Sequence, residues 1–397
     1  MLERTLKAFD KTMKTRKPKV LMPLMPLESA TSGIGVYIIK IAEYLSRSHD
    51  IEFSVLGFES EKHYLNLSEN TKFIPVPERF SNLKANLIWH AALLPFIALR
   101  ERADILFLPA GNRRMTLSSP ASPFKVAATV HDLASFHLPE KYDKFRTFYV
   151  TRCLPAAWRR ADRIISVSHS TAKDLVKLGN VSEDKIRVIW NGVEAGGFKP
   201  MSKQEARHHL PANLPENFIL YVARIEHPGK NHIRLVQAYQ ILRERHPTLQ
   251  HDLVFAGSDW SGAEQVHRFV QDQRLSEHVH FAGFFPQNLL PYMYASADLF
   301  AFPSLFEGFG IPAIEAMAMG LPLVAANRSS LPEVVGNIGI LFDPENPKAM
   351  ADALEQGLFE ASFRERFRVE GPQRSQLFSW ERSSIQLIEE FRRLSER

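Results

Sequence analysis

Residues 297–325 read ADLFAFPSLFEGFGIPAIEAMAMGLPLVA, and the rest of the chain is best understood around this stretch. An apolar run that ends at Pro303 predicts a buried strand, and the segment from Gly308 to Gly310 predicts a tight turn. Pro312 is typical of the first residue of a helix. The stretch is therefore predicted to be a strand, a loop and the start of a helix.

Two carboxylates bracket the predicted loop. A loop that leads into a helix N-terminus points unpaired backbone N–H groups at its ligand, which suits a phosphate or an oxyanion. Glu307 precedes the glycines, whereas Glu315 falls in the first turns of the helix. Glu315 follows Glu307 by eight positions, and at about 100° per residue this separation does not place both on one helix face. The two can therefore act on one ligand only if Glu307 belongs to the loop. We expect the two carboxylates to contact different parts of one ligand.

Composition limits the class of protein. A chain of 397 residues exceeds what one core usually supports, so two domains are expected. The single Cys153 excludes an intrachain disulfide and a multi-cysteine zinc site, and it fits a reducing compartment. The net charge of +5 favours anionic partners, which could be nucleic acid, anionic lipid or phosphorylated metabolites. Without a long apolar stretch or a signal-peptide pattern, we expect a cytoplasmic protein, with the inner face of the cytoplasmic membrane as an alternative location.

The N-terminal half begins with a pattern typical of a doubly wound sheet. The predicted strand, loop, helix and strand are residues Lys19–Met25, Glu28–Gly35, Val36–Ser48 and Ile51–Phe58. Gly33 and Gly35 lie at the ligand-binding turn of this unit, although a tight turn alone would also require small residues. A full dinucleotide fingerprint needs a third glycine where Ile38 stands, which disfavours a nicotinamide cofactor.

Further strands and helices follow in this half. The apolar segment Leu87–Leu99 is too short to span a bilayer and predicts a core helix, with a membrane-facing helix as the alternative. Ala103–Pro109 and Lys125–Leu133 are predicted strands. His131 and Asp132 stand at the carboxyl end of the second one, which is the edge where ligands bind in parallel sheets.

Basic and aromatic residues alternate in the segment Lys141–Arg163. Most such helices present a solvated face, but the pattern also suits a surface that rests on anionic lipid. The basic N-terminal stretch before Lys19 adds to this charge. Peripheral contact with an anionic membrane is therefore a hypothesis for this part of the chain.

The alternation of strands and helices lapses between Glu194 and Glu216, which predicts an interdomain linker, and restarts at Phe218. We predict an N-terminal domain over residues 1–200 and a C-terminal domain over residues 215–378. A C-terminal amphipathic helix over residues 379–397 is expected to pack back on the first domain. Two α/β domains of this kind would leave a ligand-binding cleft between them.

Five motifs, in this order along the chain, resemble those of retaining glycosyltransferases of family 4, which have the GT-B architecture of two Rossmann-like domains. They are the Gly33/Gly35 loop, VHDL at 130–133, SVSHSTAKDL with WNGV at 166–193, VARIEHPGKN at 222–231, and the two glutamates of FEGFGIPAIEAMAMGLPLVA at 306–325. Ser32 stands where many members have another glycine, and Pro228 interrupts the loop between Arg224 and Lys230. The likeness covers nearly the whole chain.

The resemblance implies a divided donor site. Arg224 and Lys230 would neutralise the diphosphate of a nucleotide sugar, Glu315 would accept the ribose hydroxyls, and Glu307 would bind hydroxyls of the donor sugar. The backbone donors it implies are those of Gly33, Gly35, Gly308, Phe309, Gly310 and Ile311. His131 is implied near the donor sugar and the acceptor, in a positioning role. The catalytic set implied is thus Glu307, His131, Arg224 and Lys230.

The same resemblance implies retention of the α-anomeric configuration by front-side attack, with no metal and no cofactor beyond the nucleotide-sugar substrate. VHDL resembles bacterial mannosyltransferases of cell-surface polysaccharide synthesis, so GDP-mannose is the expected donor and a UDP-sugar the second choice. The expected acceptor is a saccharide or a lipid-linked saccharide. An epimerase or phosphorylase of the same architecture, and a nucleotide-sugar-binding protein without turnover, are the alternatives. Nucleic acid is disfavoured as a partner because the basic residues are spread along the chain.

Overall fold

The structure is a computed structural model that describes residues 16–25, 27, 32–116, 121–138, 144–194 and 196–396. Part of the predicted glycine loop, at residues 28–31, lies outside the described residues, as do most of the basic N-terminal stretch and residues 141–143 of the basic and aromatic segment.

The first domain is built on a seven-stranded parallel sheet. Its strands are β1 Lys19–Pro23, β2 Glu52–Gly57, β3 Lys72–Pro75, β4 Ile105–Leu108, β5 Lys125–Val130, β6 Arg163–Ser166 and β7 Ile186–Val188. They lie in the order β3-β2-β1-β4-β5-β6-β7. The order reverses between β1 and β4, and this switch point is where open α/β sheets bind ligands.

The second domain repeats this arrangement. Its strands are β8 Asn217–Val222, β9 His251–Ala256, β10 Val279–Gly283, β11 Leu299–Phe302, β12 Leu323–Ala326 and β13 Ile340–Phe342. All pair in parallel, in the order β10-β9-β8-β11-β12-β13, with the switch point between β8 and β11. The prediction of two doubly wound parallel-sheet domains is confirmed.

Helices cover both sheets, as near-continuous apolar strands require. In the first domain they are α1 Gly33–Ser46, α2 Leu83–Ile88, α3 Leu94–Arg100, α4 Ala134–His137, α5 Lys144–Phe148, α6 Leu154–Arg160 and α7 His169–Lys177. The others are α8 Lys203–Arg207, α9 His232–Arg245, α10 Ala263–Asp272, α11 Leu290–Ser296, α12 Ile311–Ala318, α13 Leu331–Val335, α14 Pro347–Phe359, α15 Ala361–Ser375 and α16 Trp380–Ser395. No helix in the described part of the chain is both long and apolar enough to cross a membrane.

Helix α1 begins earlier than predicted. The sequence placed Gly33 and Gly35 in a loop before Val36, but the structure places both in the first helical turn. The cause is Ser32, whose hydroxyl accepts the N–H of Gly35 at 3.1 Å and so caps the helix. The glycine-rich segment is therefore a helix N-terminus, not an open loop.

The predicted core helix Leu87–Leu99 is only half buried. It consists of α2 and α3 joined by a π-helical turn, Trp89–Leu93, and the following Pro95 has no N–H to continue the α-helical pattern. Trp89 and Leu94 are buried, whereas Ile88 is 63% and Phe96 69% exposed. The core-helix prediction is thus wrong for one face of this element.

The predicted linker is not a simple connector. Helix α8 lies within it, and Lys203 pairs with Asp298 of the second domain at 2.9 Å. Phe198, Met201 and Leu214 also pack against the second core. This part of the segment therefore belongs structurally to the second domain.

The chain returns to the first domain through α16. Val193 and Ser379 form a parallel bridge at this crossing, and Trp380 and Phe391 pack in the first domain's core. The buried Glu390 lies 3.0 Å from the Arg163 guanidinium at the start of β6. The two places where the chain crosses between the domains therefore lie side by side.

Candidate functional site

The residues predicted to bind the sugar donor follow two strands at the switch point of the second sheet. Arg224 and Lys230 follow β8, and Glu307 follows β11, which is its neighbour in the sheet. Because both segments begin at the carboxyl ends of adjacent parallel strands, they meet although 77 residues separate Lys230 from Glu307.

Lys230 and Glu307 form an ion pair with 2.6 Å between Nζ and Oε1. Their side chains are only 20% and 14% exposed, so solvent screens the pair weakly. Lys230 is further fixed by Tyr221, whose hydroxyl donates to the Lys230 carbonyl at 3.0 Å. The structure thus brings together the cation and the carboxylate that the sequence assigned to different parts of one ligand.

Arg224 follows the same strand, β8, but has different neighbours from Lys230. Its guanidinium is 3.6 Å from the buried carboxylate of Glu226, and it lies over the Trp260 ring at 4.7 Å from the centroid. A guanidinium held between a carboxylate and an aromatic face keeps its charge in a fixed orientation. Arg224 is one-third exposed and can therefore reach a ligand.

The loop from Glu307 to Gly310 is held by serine hydroxyls. Ser329 and Ser330 donate to the Glu307 carbonyl at 2.5 and 2.9 Å, and Ser330 also contacts the Phe309 carbonyl at 2.8 Å. Gly310 has φ +102°, a conformation that favours glycine, and it directly precedes α12. The loop is therefore held by hydrogen bonds from residues of its own domain.

The same loop touches the first domain at Gly308. A Cβ atom there would overlap the carbonyl oxygen of His131 and lie 2.8 Å from its carbonyl carbon. Ile311, at the start of α12, packs against the core residues of the first domain as well as those of the second. The structure therefore places the predicted residues of the two domains face to face.

Glu315 is buried in α12, and its carboxylate accepts a hydrogen bond from the Tyr294 hydroxyl at 2.7 Å. Burial raises the pKa of Glu315 to about 7, and the Tyr294 hydrogen bond lowers it in part. The carboxylate therefore becomes fully ionised only above neutral pH.

This shift predicts a pH dependence of stability. A pKa raised from 4.5 to about 7 means that the folded state binds the proton more tightly than the unfolded state. The resulting stabilisation is fully present below pH 4.5, is lost as the pH rises through about 7, and is on the order of 3 kcal/mol. We expect the free energy of unfolding of Glu315→Gln, measured in urea, to lack this pH-dependent component. An unchanged pH profile would contradict the prediction.

His131 is buried at the end of β5. Its Nε2 lies 2.8 Å from the carbonyl oxygen of Pro109, which can only accept, so Nε2 carries the proton and Nδ1 keeps its lone pair. Burial lowers the pKa of His131 to about 4. The Tyr37 ring packs edge-on against it, with 4.6 Å between centroids. His131 is therefore a neutral, fixed hydrogen-bond acceptor and only a weak base.

The segment with Gly33 and Gly35 offers fewer free backbone N–H groups to a ligand than its sequence indicates. The N–H of Gly35 is used by Ser32. Beside Gly33, by contrast, a Cβ atom would meet no atom of the described residues within 4 Å. The structure thus removes Gly35 as a backbone donor to the ligand. Binding of the ligand by the Gly33 N–H stays a prediction.

Several contacting residues were missed from the sequence. Tyr294, Glu226 and Trp260 each contact a predicted site residue, and Ser329 and Ser330 hold the loop. A paired Ser329-Ser330 before the Pro332-Glu333 helix start was a visible signal. Tyr294 and Trp260 carry no sequence pattern that separates them from core or surface aromatics.

Known proteins match this chain over almost its full length. The family model described as Glycosyltransferase Family 4 matches residues 31–196, and that described as Glycosyl transferases group 1 matches residues 202–374. O-antigen chain mannosyltransferase B of Escherichia coli is 28% identical, over 95% of this chain and 100% of its own length.

Another relative and a solved structure are also similar to this chain. Serotype-specific mannosyltransferase WbdA of Escherichia coli is 30% identical over 73% of this chain but only 36% of its own length, so the chain spans about a third of that relative. The crystal structure of Anabaena Alr3699/HepE in complex with UDP and glucose superposes with a TM-score of 0.71 at 20% identity, covering 94% of this chain and 98% of the other. With both family models in sequence on two doubly wound domains, the chain belongs to glycosyltransferase family 4 and has the GT-B fold.

Proposed function

We propose that this protein transfers mannose from GDP-mannose to a saccharide or a lipid-linked saccharide in the synthesis of cell-surface polysaccharide. The observation that carries this proposal is the Lys230–Glu307 pair at the switch point of the second sheet. Glu307 belongs to the loop whose Gly308 approaches His131. The similarity to two Escherichia coli mannosyltransferases supports mannose as the sugar.

The two domains have different roles in this proposal. The second domain binds the donor: Arg224 and Lys230 contact the diphosphate, Glu315 the ribose and Glu307 the sugar. The first domain binds the acceptor and contributes His131 and Gly33. Backbone N–H groups of Gly308, Phe309, Gly310 and Ile311 at the start of α12 add donors to the anion. The crossing at Ser379 serves as the hinge.

The proposed reaction retains the anomeric configuration and uses no metal. Negative charge grows on the diphosphate as the glycosidic bond breaks, and fixed cations stabilise it most in a site that excludes water. His131 is too weak a base to remove the acceptor proton, because burial lowers its pKa to about 4. The departing phosphate oxygen takes that proton, while His131 Nδ1 orients a sugar hydroxyl.

A UDP-sugar is the second candidate donor. The observation in its favour is the similar fold of Alr3699/HepE, which was solved with UDP and glucose. A panel of nucleotide sugars distinguishes the two. We expect GDP-mannose to raise the melting temperature and to be turned over, with Glu315→Ala losing both effects. The proposal fails if no nucleotide sugar binds, or if Glu315→Ala binds and turns over donor like the parent protein.

We also propose that the first domain docks on an anionic bilayer. Apolar side chains are exposed along the helix from α2 to α3; they are Leu83, Ile88, Leu93, Phe96 and Leu99. The basic residues Lys84, Arg100 and Arg102 flank them and are exposed too. Apolar residues bordered by cations are typical of helices that lie in a membrane interface. A lipid-linked acceptor would be met at this surface.

A vesicle experiment tests this docking. We expect Ile88→Ser with Phe96→Ser to weaken binding to vesicles containing phosphatidylglycerol about tenfold or more, since burying each side chain is worth about 1.5–3 kcal/mol. Phe284→Ser, at a residue that is 58% exposed in the second domain, is the matched control and should bind like the parent. Equal binding by the double variant would contradict the proposal. A dimer that the double variant loses would instead assign this face to a second copy.

A further inference from the structure

Glu333, in the short helix α13 of the second domain, binds the first domain. Its carboxylate accepts the backbone N–H of His169 at 3.0 and 2.9 Å and lies 3.4 Å from that of Ser170. It also accepts the indole N–H of Trp190 at 2.7 Å. One half-buried side chain of one domain thus contacts three groups of the other.

These contacts suit the local chemistry. His169 and Ser170 are the first residues of α7, whose initial N–H groups have no partner within the helix. The N-cap Ser168 accepts the N–H of Thr171, and Glu333 accepts those that precede it. A carboxylate at this position also interacts favourably with the positive end of the helix dipole. The bonds form only when the two domains are in contact.

Helix α13 and the residues just before it also hold the donor loop. Ser329 and Ser330 bind the carbonyls of Glu307 and Phe309. Arg374 anchors the other end of α13, donating to the carbonyls of Glu333 and Val334 at 2.7 Å each. Helix α13, whose Glu333 binds the first domain, is therefore fixed to the Glu307–Gly310 loop.

In the first domain, Thr171 of α7 contacts both His131 and the Glu307–Gly310 loop. Its hydroxyl lies 3.4 Å from the carbonyl of His131 and 3.4 Å from that of Gly308. The turn that Glu333 caps is thus the turn that meets both the donor loop and the proposed acceptor-side histidine. A shift of α7 relative to α13 would change the His131 to Gly308 approach directly.

We propose that Glu333 is a positioning residue, an interdomain clasp that sets the first domain against the donor loop during transfer. This inference rests on the proposed function in one respect, namely that transfer takes place with the domains closed. Glu333 touches neither donor nor acceptor. It acts by raising the population of the closed arrangement in which His131, Gly308 and the Lys230–Glu307 pair adjoin.

The expected kinetic signature follows from that role. A ligand that needs the closed state binds with an apparent affinity reduced by the closed fraction. Loss of hydrogen bonds to a charged acceptor should therefore raise the donor KM of Glu333→Ala about tenfold to a hundredfold. Saturating donor restores closure, so kcat should fall much less than KM rises. A variant that merely folded poorly would lose kcat with KM unchanged.

Closure is measured directly by titrating the full-length protein with GDP and with UDP while recording small-angle scattering. We expect Glu333→Ala to need more nucleotide for the same compaction, and hydrogen exchange at the His169 and Ser170 amides to accelerate. Glu355→Ala is the matched control, because among the described residues Glu355 pairs within its own domain, with Arg245 and His246. It should behave like the parent protein.

A further variant keeps the test independent of folding. Trp190→Phe removes the indole donor but keeps a ring, and its effect on KM should not add to that of Glu333→Ala, since Glu333→Ala already removes the Trp190 contact. If nucleotide compacts Glu333→Ala and the parent at equal concentrations, the clasp is overturned. If neither nucleotide binds the parent protein, the proposed function fails instead.

Discussion

Lys230→Ala should lower donor turnover about 100- to 1,000-fold, which is the usual effect of removing one group that stabilises developing negative charge. Lys230 is the cation held within 2.6 Å of Glu307 at the switch point of the second sheet. Without it, the departing diphosphate loses a fixed positive charge, and the weakly exposed Glu307 carboxylate loses its partner. Initial rates at saturating GDP-mannose measure the effect.

Two further variants separate charge from geometry. Lys230→Arg keeps the cation but spreads it over a planar fork, so it should recover only part of the activity. Lys348→Ala, at an exposed lysine of the second domain, is the matched control and should retain full activity. Thermal unfolding of each variant shows whether the folded fraction is unchanged. A Lys230→Ala protein that is folded and as fast as the parent would remove Lys230 from the mechanism.

Gly308→Ala should abolish interdomain closure while leaving each domain folded. The added methyl group would overlap the His131 carbonyl oxygen and come within 3.1 Å of the Asp132 Cβ, and backbone atoms cannot move aside as a flexible side chain would. The domains must therefore separate at this point. Since a misplacement of about 1 Å in a catalytic site can cost 100-fold in rate, we expect at least that loss.

Scattering and activity together check this prediction. We expect Gly308→Ala to unfold at nearly the parent temperature, yet to show no compaction with nucleotide. Gly197→Ala is the control, because its nearest contact would be an ordinary 3.4 Å to the Glu194 side chain. Normal activity in a well-folded Gly308→Ala protein would show that the closed approach of His131 and Gly308 is not the reactive arrangement.

Local patterns predicted most of the architecture. Short apolar runs such as Phe218–Ile225 alternate with helical periodicity, and this repeat specifies a parallel sheet without knowledge of any contact. Capping was harder to predict: Ser32 shifted the start of α1 by three residues and changed Gly35 from a loop residue into a capped helical one. Helix ends depend on single hydrogen bonds, and a periodicity does not contain that information.

The candidate site was predictable where its residues lie in ordered motifs. Glu307 and Glu315 were found because they bracket a loop between a predicted strand and a predicted helix. Arg224 and Lys230 were found through the resemblance of their motif to that of family 4. The structure brings them together because the ends of adjacent parallel strands converge. Their partners were not found. Tyr294 bonds Glu315 across 21 positions of sequence, and no pattern marks it as different from other core aromatics.

The sequence by itself determined the two doubly wound domains, the family and the strand ends at which the charged residues stand, because these follow from local periodicity and from motifs of a few residues. Only the tertiary structure decided which groups meet: the Lys230–Glu307 pair, the neutral His131 and the Glu333 contact that spans 164 positions to His169. It also decided that the Ile88 and Phe96 side chains face outward. The physical reason is that pairing, burial and the pKa shifts they cause depend on distances between residues far apart in the chain.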